Sequence, residues 1–324
     1  MSMKALGLFS GGLDSIIAAK LVQQQGMKVE LVNFTTLFFS PKNALEMAKQ
    51  IKIPLKVFEV TREYLKILRK PRYGYGSALN PCIDCKIFML KKAKIYARKI
   101  GAKFIFTGEV LGERPMTQNK NTLQLIERKA FLKGKLLRPL SAKLLPITEA
   151  EKKWIDRDKM LDIQGRRRGR QMELARKFKI KNYPTPAGGC LLTSKEYAAK
   201  LKDLLNHNKK ISLRDISLLK IGRHFRFGRN KIIVGRDEKE NEELLKLKNS
   251  DFAFEVPKIG SPITLLQGPK TKEAINLAAR LTAYYSDSEE EMTQVKYGKK
   301  LLKQVLVSRA EGSEIEKLRI TSSF

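Results

Sequence analysis

The sequence predicts an α/β fold, a doubly wound parallel sheet, followed by a smaller α+β domain. Three observations support this prediction. Short apolar segments alternate with segments of helical spacing through the first half of the chain. A Gly-rich turn joins the first apolar segment to the first helical one. After the basic, polar stretch at 206–210 the pattern changes to short strands and turns. We therefore place one domain at 1–205 and the second at 206–324.

The strands predicted in the first domain are short and apolar, as expected for strands buried in a parallel sheet. They are residues 5–9, 29–34, 55–60, 103–107 and 136–140. Helical spacing follows at 16–22, 41–52, 81–100 and, in a strongly basic segment, 150–182. The second domain is predicted to contain a strand at 232–235, a charged helix at 238–247 and an acidic turn at 286–291.

The first strand-to-helix turn has the sequence Ser10-Gly11-Gly12-Leu13-Asp14-Ser15. Two glycines let backbone N–H groups approach an oxyanion closely, and the helix N-terminus adds free donors and the positive end of its dipole. The Gly-Lys-Ser/Thr ending of a Walker loop is missing. An ordinary Gly-rich turn is the alternative interpretation.

Ser-Gly-Gly-x-Asp-Ser resembles the PP-loop of ATP pyrophosphatases, which split ATP into AMP and pyrophosphate to activate a carbonyl oxygen. The resemblance implies a HUP-like sheet with ATP lying across its first and fourth strands. The phosphates would then lie on Ser10, Gly11, Gly12, Asp14 and Ser15, and Asp14 would help hold Mg²⁺. Further contacts are expected at strand ends that meet on the same edge of the sheet, from Asn33, Phe34 and Gly108.

The net charge of +32 indicates a polyanionic partner. Residues 51–250 contain 49 basic and 20 acidic residues, whereas residues 251–324 contain 11 and 10, so the excess is regional. Nucleic acid is favoured over a membrane surface, since no basic amphipathic anchor stands out. No apolar stretch reaches membrane-spanning length and no leader precedes the first strand, so we expect a soluble, cytoplasmic protein.

The three cysteines form a second candidate constellation. Cys82 and Cys85 open a helix, where its N-terminus and Lys86 are expected to lower their pKa, and Cys190 follows two glycines. One possible chemistry is a persulfide on one cysteine that a second cysteine resolves. Another is a 4Fe–4S cluster held by all three, with its fourth iron open. Buried, inert thiols are the third possibility.

We favour the cluster, because three ligands match a cluster with one open iron. A structural zinc site requires a fourth nitrogen or sulfur ligand. The chain has only two histidines, His207 and His224, and neither lies in a matching motif.

Together, the Ser10–Ser15 turn, Asn80-Pro81-Cys82-Ile83-Asp84-Cys85 and the distant Cys190 resemble the tRNA thiouridine synthases of the PP-loop class. Arg138-Pro139-Leu140 is similar to a segment that recurs through PP-loop enzymes, and the blocks at 112–118, 162–166 and 186–190 resemble a stand-alone prokaryotic subgroup of these synthases. The His that 2-thiouridylases carry in a Thr-Gly-His block is replaced here by Glu109.

The second domain has its own resemblance. Residues 222–226 and 231–241 resemble the RNA-binding module of NFACT proteins, with arginines and a histidine around two aromatic residues. A charged hairpin face is the alternative. The residues expected to contact phosphate or RNA are Arg114, Arg166, Arg168, Arg223, His224, Arg226, Lys231 and Arg236.

These resemblances imply an ATP-dependent tRNA sulfurtransferase that makes 2-thiouridine or 4-thiouridine. Its expected catalytic residues are Asp14, Cys82, Cys85 and Cys190, and the same three cysteines would ligate the cluster. Expected partners are tRNA, a sulfur donor (free sulfide or a persulfide-carrying protein) and a second copy of the chain in a homodimer. The alternatives are an AMP-forming ligase acting on another substrate, and a non-catalytic RNA-binding protein with a relic nucleotide fold.

Overall fold

The computed structural model describes residues 3–184 and 189–321. The chain folds into two compact units, residues 1–193 and 194–324. The division comes earlier in the chain than the boundary expected near 205, because the helix Lys195–His207 belongs to the second unit. Asp203 on that helix pairs with Arg226 and Lys231, which lie on strands of the second unit.

The first unit is a parallel five-stranded sheet with helices on both faces, as predicted. The strand order is β3-β2-β1-β4-β5. The strands are β1 (Lys4–Leu8), β2 (Lys28–Thr35), β3 (Leu55–Glu59), β4 (Phe104–Thr107) and β5 (Leu136–Leu137). The helices are α1 (Leu13–Gln24), α2 (Lys42–Gln50), α3 (Thr61–Arg69), α4 (Cys82–Lys99), α5 (Lys120–Lys129), α6 (Glu149–Lys153) and α7 (Gly169–Lys177).

The central strand β1 shows why this sheet needs helices on both faces. Its neighbouring side chains point to opposite faces. Ala5 packs in the apolar cluster that includes residues of α1 and α2, and Leu6 packs in the cluster that includes residues of α4 and α5. Both side chains are completely buried. A strand with no solvent-facing side has a continuous apolar sequence, which is the pattern that predicted it.

Two segments of the first unit differ from the prediction. The fifth strand ends at Leu137, and the chain then leaves the sheet to hydrogen-bond with a later loop through the carbonyl groups of Pro139 and Leu140. The basic segment 150–182 is not one helix: α6, a short 3₁₀ turn and α7 share it. Gly165 interrupts the segment in the left-handed region, at φ +79°.

The second unit contains a six-stranded antiparallel sheet of order β11-β10-β8-β9-β7-β6. Its strands are β6 (Arg223–Phe227), β7 (Asn230–Val234), β8 (Phe252–Glu255), β9 (Thr264–Gln267), β10 (Met292–Gly298) and β11 (Lys303–Ser308). Its helices are α8 (Lys195–His207), α9 (Leu213–Leu218), α10 (Glu238–Leu247), α11 (Lys272–Tyr284) and α12 (Gly312–Leu318).

Strand β7 is buried on both sides of this sheet. Ile232 packs in the cluster that includes residues of α11 and α12, whereas Ile233 packs in the cluster that includes residues of α9 and α10. The helix predicted at 238–247 has the bounds of α10. In the part of the chain that the structure describes, no helix combines the length and the apolar character needed to cross a bilayer.

Candidate active site

Residues 10–15, the phosphate loop, join β1 to α1 with very close backbone packing. Gly11 lies in the left-handed region at φ +79°, and a Cβ on it would lie 2.5 Å from the Asn43 backbone. A Cβ on Gly108, at the end of β4, would lie 2.4 Å from the Ser15 nitrogen. Glycine is therefore required at both positions: the ends of β1 and β4 and the start of α2 converge on this loop.

Hydrogen bonds hold the loop in shape before any ligand binds. The Ser15 hydroxyl donates to the Gly12 carbonyl at 2.7 Å, and the Gly12 N–H donates to Ser10 Oγ at 3.3 Å. Helix α1 starts at Leu13, so the first amides of the helix point away from its body with no intrahelical partner. The loop thus presents free N–H donors and the positive end of the helix dipole to an anion.

The ligand-facing residues expected on β2 have different roles. Asn33 donates from Nδ2 to the Phe9 carbonyl at 2.8 Å, and its Oδ1 is buried without a hydrogen-bond partner among the described residues. Phe34 is buried and stacks on Phe58 with ring centroids 5.8 Å apart. The Phe34 ring therefore belongs to the core and is not available to a nucleotide.

Two carboxylates and two arginines cluster beside the phosphate loop. Asp14 Oδ2 lies 3.8 Å from Arg168 Nη2, and Asp14 Oδ1 is buried with no hydrogen-bond partner in residues 3–184 and 189–321. Burial raises the pKa of Asp14, and Arg168 and Arg114 oppose this. Glu113, which was not among the predicted site residues, has its pKa raised by burial and by the charge of Asp14. A carboxylate with a free oxygen next to a phosphate site suits Mg²⁺.

A backbone contact explains how Arg168 reaches this cluster. The Gly165 N–H donates to the Leu111 carbonyl at 2.7 Å, which ties the loop after β4 to the segment that leads into α7. Two of the sequence blocks that resemble thiouridine synthases, 112–118 and 162–166, are thereby joined. Arg114 and Arg168 both lie close to Asp14, whereas Arg166 is exposed on the surface.

The three cysteines lie close together: Cys82 and Cys190 act on the ionisation of Cys85, Cys82 acts on that of Cys190, and all three act on that of Tyr64. Cys82 is the first residue of α4 and accepts a hydrogen bond from Asn80 Nδ2 at 3.1 Å. Cys85 accepts one from the Tyr64 hydroxyl. The approach to Cys190 includes residues 185–188, which lie outside the described residues. We refer to these three residues as the thiol cluster.

The segment after Cys190 is anchored near the other two thiols. The Leu191 N–H donates to the Phe38 carbonyl at 2.9 Å, and the Phe38 ring packs against Tyr64 at 5.9 Å. Burial raises the pKa of Tyr64, so its hydroxyl keeps its proton for the Cys85 sulfur. No sequence motif pointed to Tyr64, since its role depends on the packing of α3 against α4.

The expectation that helix position and Lys86 lower the pKa of the paired thiols is corrected by the structure at Cys85. Burial raises the pKa of Cys85, whereas the hydrogen bond from Tyr64 and the charge of Lys86 lower it. Burial has the larger effect, and the resulting pKa is about 12. Burial likewise raises the pKa of Cys190 to about 11. Lys86 forms an ion pair with Glu109, and the Glu109 carboxylate offsets much of the positive charge that would otherwise act on the thiols.

Glu109 is the centre of a buried ion network beside the thiol cluster. It pairs with Lys86 and with Arg138, whose Nε lies 3.0 Å from Glu109 Oε2, and Arg138 also pairs with Glu127. Burial opposes ionisation of Glu109, but Lys86 and Arg138 outweigh it and hold its pKa at about 2. The charges of both Asp14 and Lys86 also act on Glu113. Gly108 packs on Ser15, and Glu109 binds Lys86, the residue after Cys85, so the phosphate loop and the thiol cluster lie at the same edge of the sheet.

The metal site predicted on Cys82, Cys85 and Cys190 is not seen among the described residues. Within residues 3–184 and 189–321, no group of three or more His, Cys, Asp or Glu side chains is placed to hold a metal ion. The three cysteines are free thiols, and none of them forms a disulfide bond.

In the second unit, three of the residues expected to contact RNA are engaged within the domain. His224 is buried, with Nε2 2.7 Å from the Ile221 carbonyl, and burial keeps its pKa well below the usual value. Lys231 is buried 3.3 Å from Asp203. Arg226 donates two hydrogen bonds, of 2.8 and 2.6 Å, to the same carboxylate. These side chains stabilise the domain interior rather than form its open surface.

The other two expected residues lie nearer the surface. Arg236 donates to Glu240 at 2.9 Å on the first turn of α10. Arg223 lies over the Tyr285 ring, 4.5 Å from its centroid, and lines an open cavity. Within the second unit, Arg223 is the predicted residue that combines positive charge with an aromatic neighbour.

Comparisons with known proteins agree with this division. Residues 1–143 match the family model of the thiamine biosynthesis protein (ThiI), and residues 222–319 match that of the NFACT protein RNA binding domain. A probable tRNA sulfurtransferase of Thermococcus kodakarensis is 30% identical over 119 residues, 34% of this chain and 30% of the relative. One from Ureaplasma parvum is 31% identical over 152 residues, 43% of this chain and 37% of the relative. The chain thus spans about a third of the length of these curated relatives.

Among solved structures, a 4-thiouridine synthetase–RNA complex with bound ATP gives a TM-score of 0.37 at 19% identity, covering 67% of this chain and 51% of that one. The C-terminal part of the fibronectin/fibrinogen-binding protein from Streptococcus suis gives 0.28 at 15% identity, covering 74% and 94%. TM-scores this low carry no argument about the fold. The description of the architecture therefore depends on the strand order given above. Residues 1–143 are therefore similar to the thiamine biosynthesis protein (ThiI) family, and residues 222–319 are similar to the NFACT protein RNA binding domain.

Proposed function

We propose that this protein is an ATP-dependent tRNA thiouridine synthase. It adenylates a uridine carbonyl oxygen and replaces that oxygen with sulfur. The observation that carries the proposal is the assembly of three thiols, from two distant segments, on the sheet edge that holds the phosphate loop. The RNA-binding family match and the sulfurtransferase names of the relatives support tRNA as the substrate.

The first step uses the phosphate loop. A uridine carbonyl oxygen attacks the α-phosphorus of ATP, the bond to the β-phosphate oxygen breaks, and pyrophosphate leaves with that oxygen. Negative charge builds up on the phosphates, and the loop amides with Arg114 and Arg168 are placed to stabilise it. Asp14 and Glu113 would hold Mg²⁺, which neutralises phosphate charge.

The second step uses the thiol cluster. Sulfur at the oxidation level of hydrosulfide attacks the ring carbon that carries the adenylated oxygen, and a carbon–sulfur bond forms. The carbon–oxygen bond then breaks, the oxygen leaves within AMP, and the proton on the sulfur passes to the ring nitrogen, which lost its own proton when the oxygen was adenylated. Nothing is oxidised or reduced, because the donor supplies sulfur already in the sulfide state.

Cys82, Cys85 and Cys190 would hold a 4Fe–4S cluster. When bound, such a cluster supplies an open iron at which hydrosulfide is delivered. Asn80, which donates to the Cys82 sulfur, and Tyr64, which donates to Cys85, would orient these ligands. The chain has no fourth cysteine to close the cluster, which supports an open position.

Nucleoside mass spectrometry of tRNA from a deletion strain tests the overall function. We expect loss of 2-thiouridine or of 4-thiouridine derivatives, and restoration by the wild-type gene. The nucleoside that disappears identifies the ring position. Unchanged thionucleosides would overturn the proposal.

Variants separate the two steps. Asp14→Asn should abolish pyrophosphate release from ATP in the presence of tRNA, whereas Asp162→Asn, at an exposed carboxylate of the same unit, should not. Cys190→Ala should abolish thiolation while ATP still binds. Pyrophosphate release with another acceptor but without tRNA would indicate an AMP-forming ligase instead.

Metal analysis tests the proposed cluster. Protein purified without oxygen should contain iron and acid-labile sulfide, absorb visible light, and lose both elements in Cys190→Ala. Full thiolation activity in iron-free protein would contradict the cluster and favour persulfide chemistry.

A further inference from the structure

A cavity of about 490 Å³ opens on the second unit, between the start of β6, the end of α11 and the segment 312–319. We call it the aromatic cavity. Its lining includes Arg223, Tyr284, Tyr285, Glu316 and Arg319. This residue set combines aromatic rings with cations, which is the combination that proteins use to bind nucleotides.

The two tyrosines form a fixed aromatic platform. Tyr285 packs against the buried Phe225 at 6.3 Å between ring centroids and carries the Arg223 guanidinium on its ring at 4.5 Å. Tyr284 meets Tyr285 edge-on, with centroids 4.9 Å apart at 83°. Tyr284 is nevertheless 41% exposed, so part of its ring is open to a ligand. A large aromatic side chain that is supported from behind and open in front offers a stacking surface.

No carboxylate of the described residues forms an ion pair with the arginines of the aromatic cavity, Arg223 and Arg319. Arg223 donates one hydrogen bond from Nη1 to the Gly235 carbonyl at 3.2 Å, which leaves its charge unneutralised. Both arginines lie close enough to Tyr285 for their charges to act on its hydroxyl, and Arg319 also acts on the nearby Lys200. Glu316 is the one acidic residue in the lining. The described carboxylates therefore leave both guanidinium charges open to a phosphate.

Backbone contacts preorganise this arrangement. Arg319 pairs with Phe225 in a short β-bridge, and the Ile320 N–H donates to the His224 carbonyl at 2.8 Å. These contacts hold the end of α12 against β6, so the two arginines keep a set spacing. A preformed site loses less conformational entropy when its ligand binds.

We propose that the aromatic cavity binds an unpaired nucleotide of RNA, with its base stacked on Tyr284 and its phosphate held by Arg223 and Arg319. The base must be unpaired, because a base inside a duplex has both faces covered by its neighbours. The inference rests on the proposed function only in taking RNA as the partner. It shifts the RNA-contacting role in this unit from Lys231, Arg226 and His224 to the residues of the aromatic cavity.

Binding of the full chain to labelled RNA, followed by fluorescence anisotropy at one fixed salt concentration, tests this proposal. Wild-type protein should bind a short single-stranded oligoribonucleotide more tightly than a blunt duplex of the same sequence. Tyr284→Ala should weaken single-strand binding about tenfold. Tyr284→Phe, which keeps the ring, should retain the affinity for single-stranded RNA.

Leu302→Ala controls for the loss of an exposed apolar side chain elsewhere in the unit. Single-strand binding by Tyr284→Ala within about twofold of the wild type would overturn the proposal.

A charge-matched pair separates the cavity from general electrostatics. Arg223→Ala and Arg229→Ala each remove one positive charge, but Arg229 is exposed in the turn at the opposite end of β6. General attraction predicts equal losses of affinity, and the cavity predicts a larger loss for Arg223→Ala. Equal losses would contradict the proposal.

Photochemical cross-linking locates the base directly. An oligoribonucleotide that carries 5-iodouridine should cross-link to the peptide containing Tyr284 and Tyr285, as identified by mass spectrometry. Cross-links confined to other peptides would overturn the inference. Pyrophosphate release and thiolation are measured on the same preparation, so a cross-linked cavity in a protein without thiolation activity would refute the proposed function and leave the inference intact.

Discussion

Arg138 Nε lies 3.0 Å from Glu109 Oε2, and the two side chains are only 3% and 8% exposed. The pair joins the end of β4 to the chain just after β5, next to the thiol cluster. Lys86, the residue after Cys85, binds the other oxygen of the same carboxylate. A buried charge pair contributes little net stability by itself, but removing one partner leaves an uncompensated buried charge. The consequences of this arrangement can be measured.

Glu109→Gln should destabilise the first unit by about 3 kcal/mol, because Arg138 and Lys86 each lose a charged partner in the interior. Trp154, the single tryptophan of the chain, packs against Phe104 in this unit, so its fluorescence in a denaturant titration reports the unfolding. The control is Glu149→Gln, which removes an exposed partner of Lys135 and should cost less than about 1 kcal/mol. Equal effects of the two variants would contradict the structural role of Glu109.

The same carboxylate predicts a pH dependence. The pKa of Glu109 falls from a usual value of 4.5 to about 2 in the folded protein. Its contribution to stability is therefore complete above pH 4.5 and is lost as the pH falls toward 2. The difference in unfolding free energy between the wild type and Glu109→Gln should shrink by roughly 3 kcal/mol across this interval. A difference that does not change with pH would show that Glu109 is not ionised in the interior.

Gly11→Ala should abolish ATP binding or weaken it at least about tenfold. A methyl group there meets the Asn43 backbone at 2.5 Å and demands a positive φ, so the phosphate loop must change shape. Isothermal titration calorimetry with ATP measures the effect. Gly169→Ala is the matched control, since its Cβ would meet no atom within 4 Å. Unchanged ATP affinity in Gly11→Ala would exclude this loop as the nucleotide site.

Arg226→Ala should act on stability rather than on RNA contact. Asp203 would lose its arginine partner and keep Lys231 and His207 nearby, and we expect a loss of about 2 kcal/mol in the second unit. Hydrogen exchange of peptides from β6 and β7 reports this loss. Arg280→Ala, which breaks a more exposed pair with Glu314, is the control and should lower protection less. RNA affinity of the two folded variants should be similar, and a selective loss in Arg226→Ala would restore Arg226 as an RNA contact.

The elements that could be predicted from sequence are those with a local signal. The continuous apolar runs of β1 and β4 follow from burial on both faces of a parallel sheet, and the glycines of the phosphate loop follow from close backbone approach. Helix α10 is amphipathic and charged, which is why its bounds were predicted. Residues 150–182 have helical spacing too, but Gly165 and the contacts of the loop around it divide them.

Burial of individual polar groups had no local signal. Lys86 was expected to act on the cysteines, yet Glu109, 23 positions along the chain, binds it. His224 and Lys231 lie in a basic, aromatic sequence that is typical of an RNA-binding face, yet both face the interior of their unit. Tyr284 and Tyr285 end an apolar helix and belong to no motif, and only the fold brings Arg223 and Arg319 to them.

The sequence by itself determined the strand–loop–helix that can bind phosphate, the three cysteines, the positive charge and the kinds of secondary structure, because each depends on residue type and short spacing. The tertiary structure decided which charges are exposed, which are neutralised, and which thiols keep their protons. Those properties depend on desolvation and on partners distant in the chain, as the pairing of Glu109 with Lys86 and Arg138 and the seating of Arg223 on Tyr285 show.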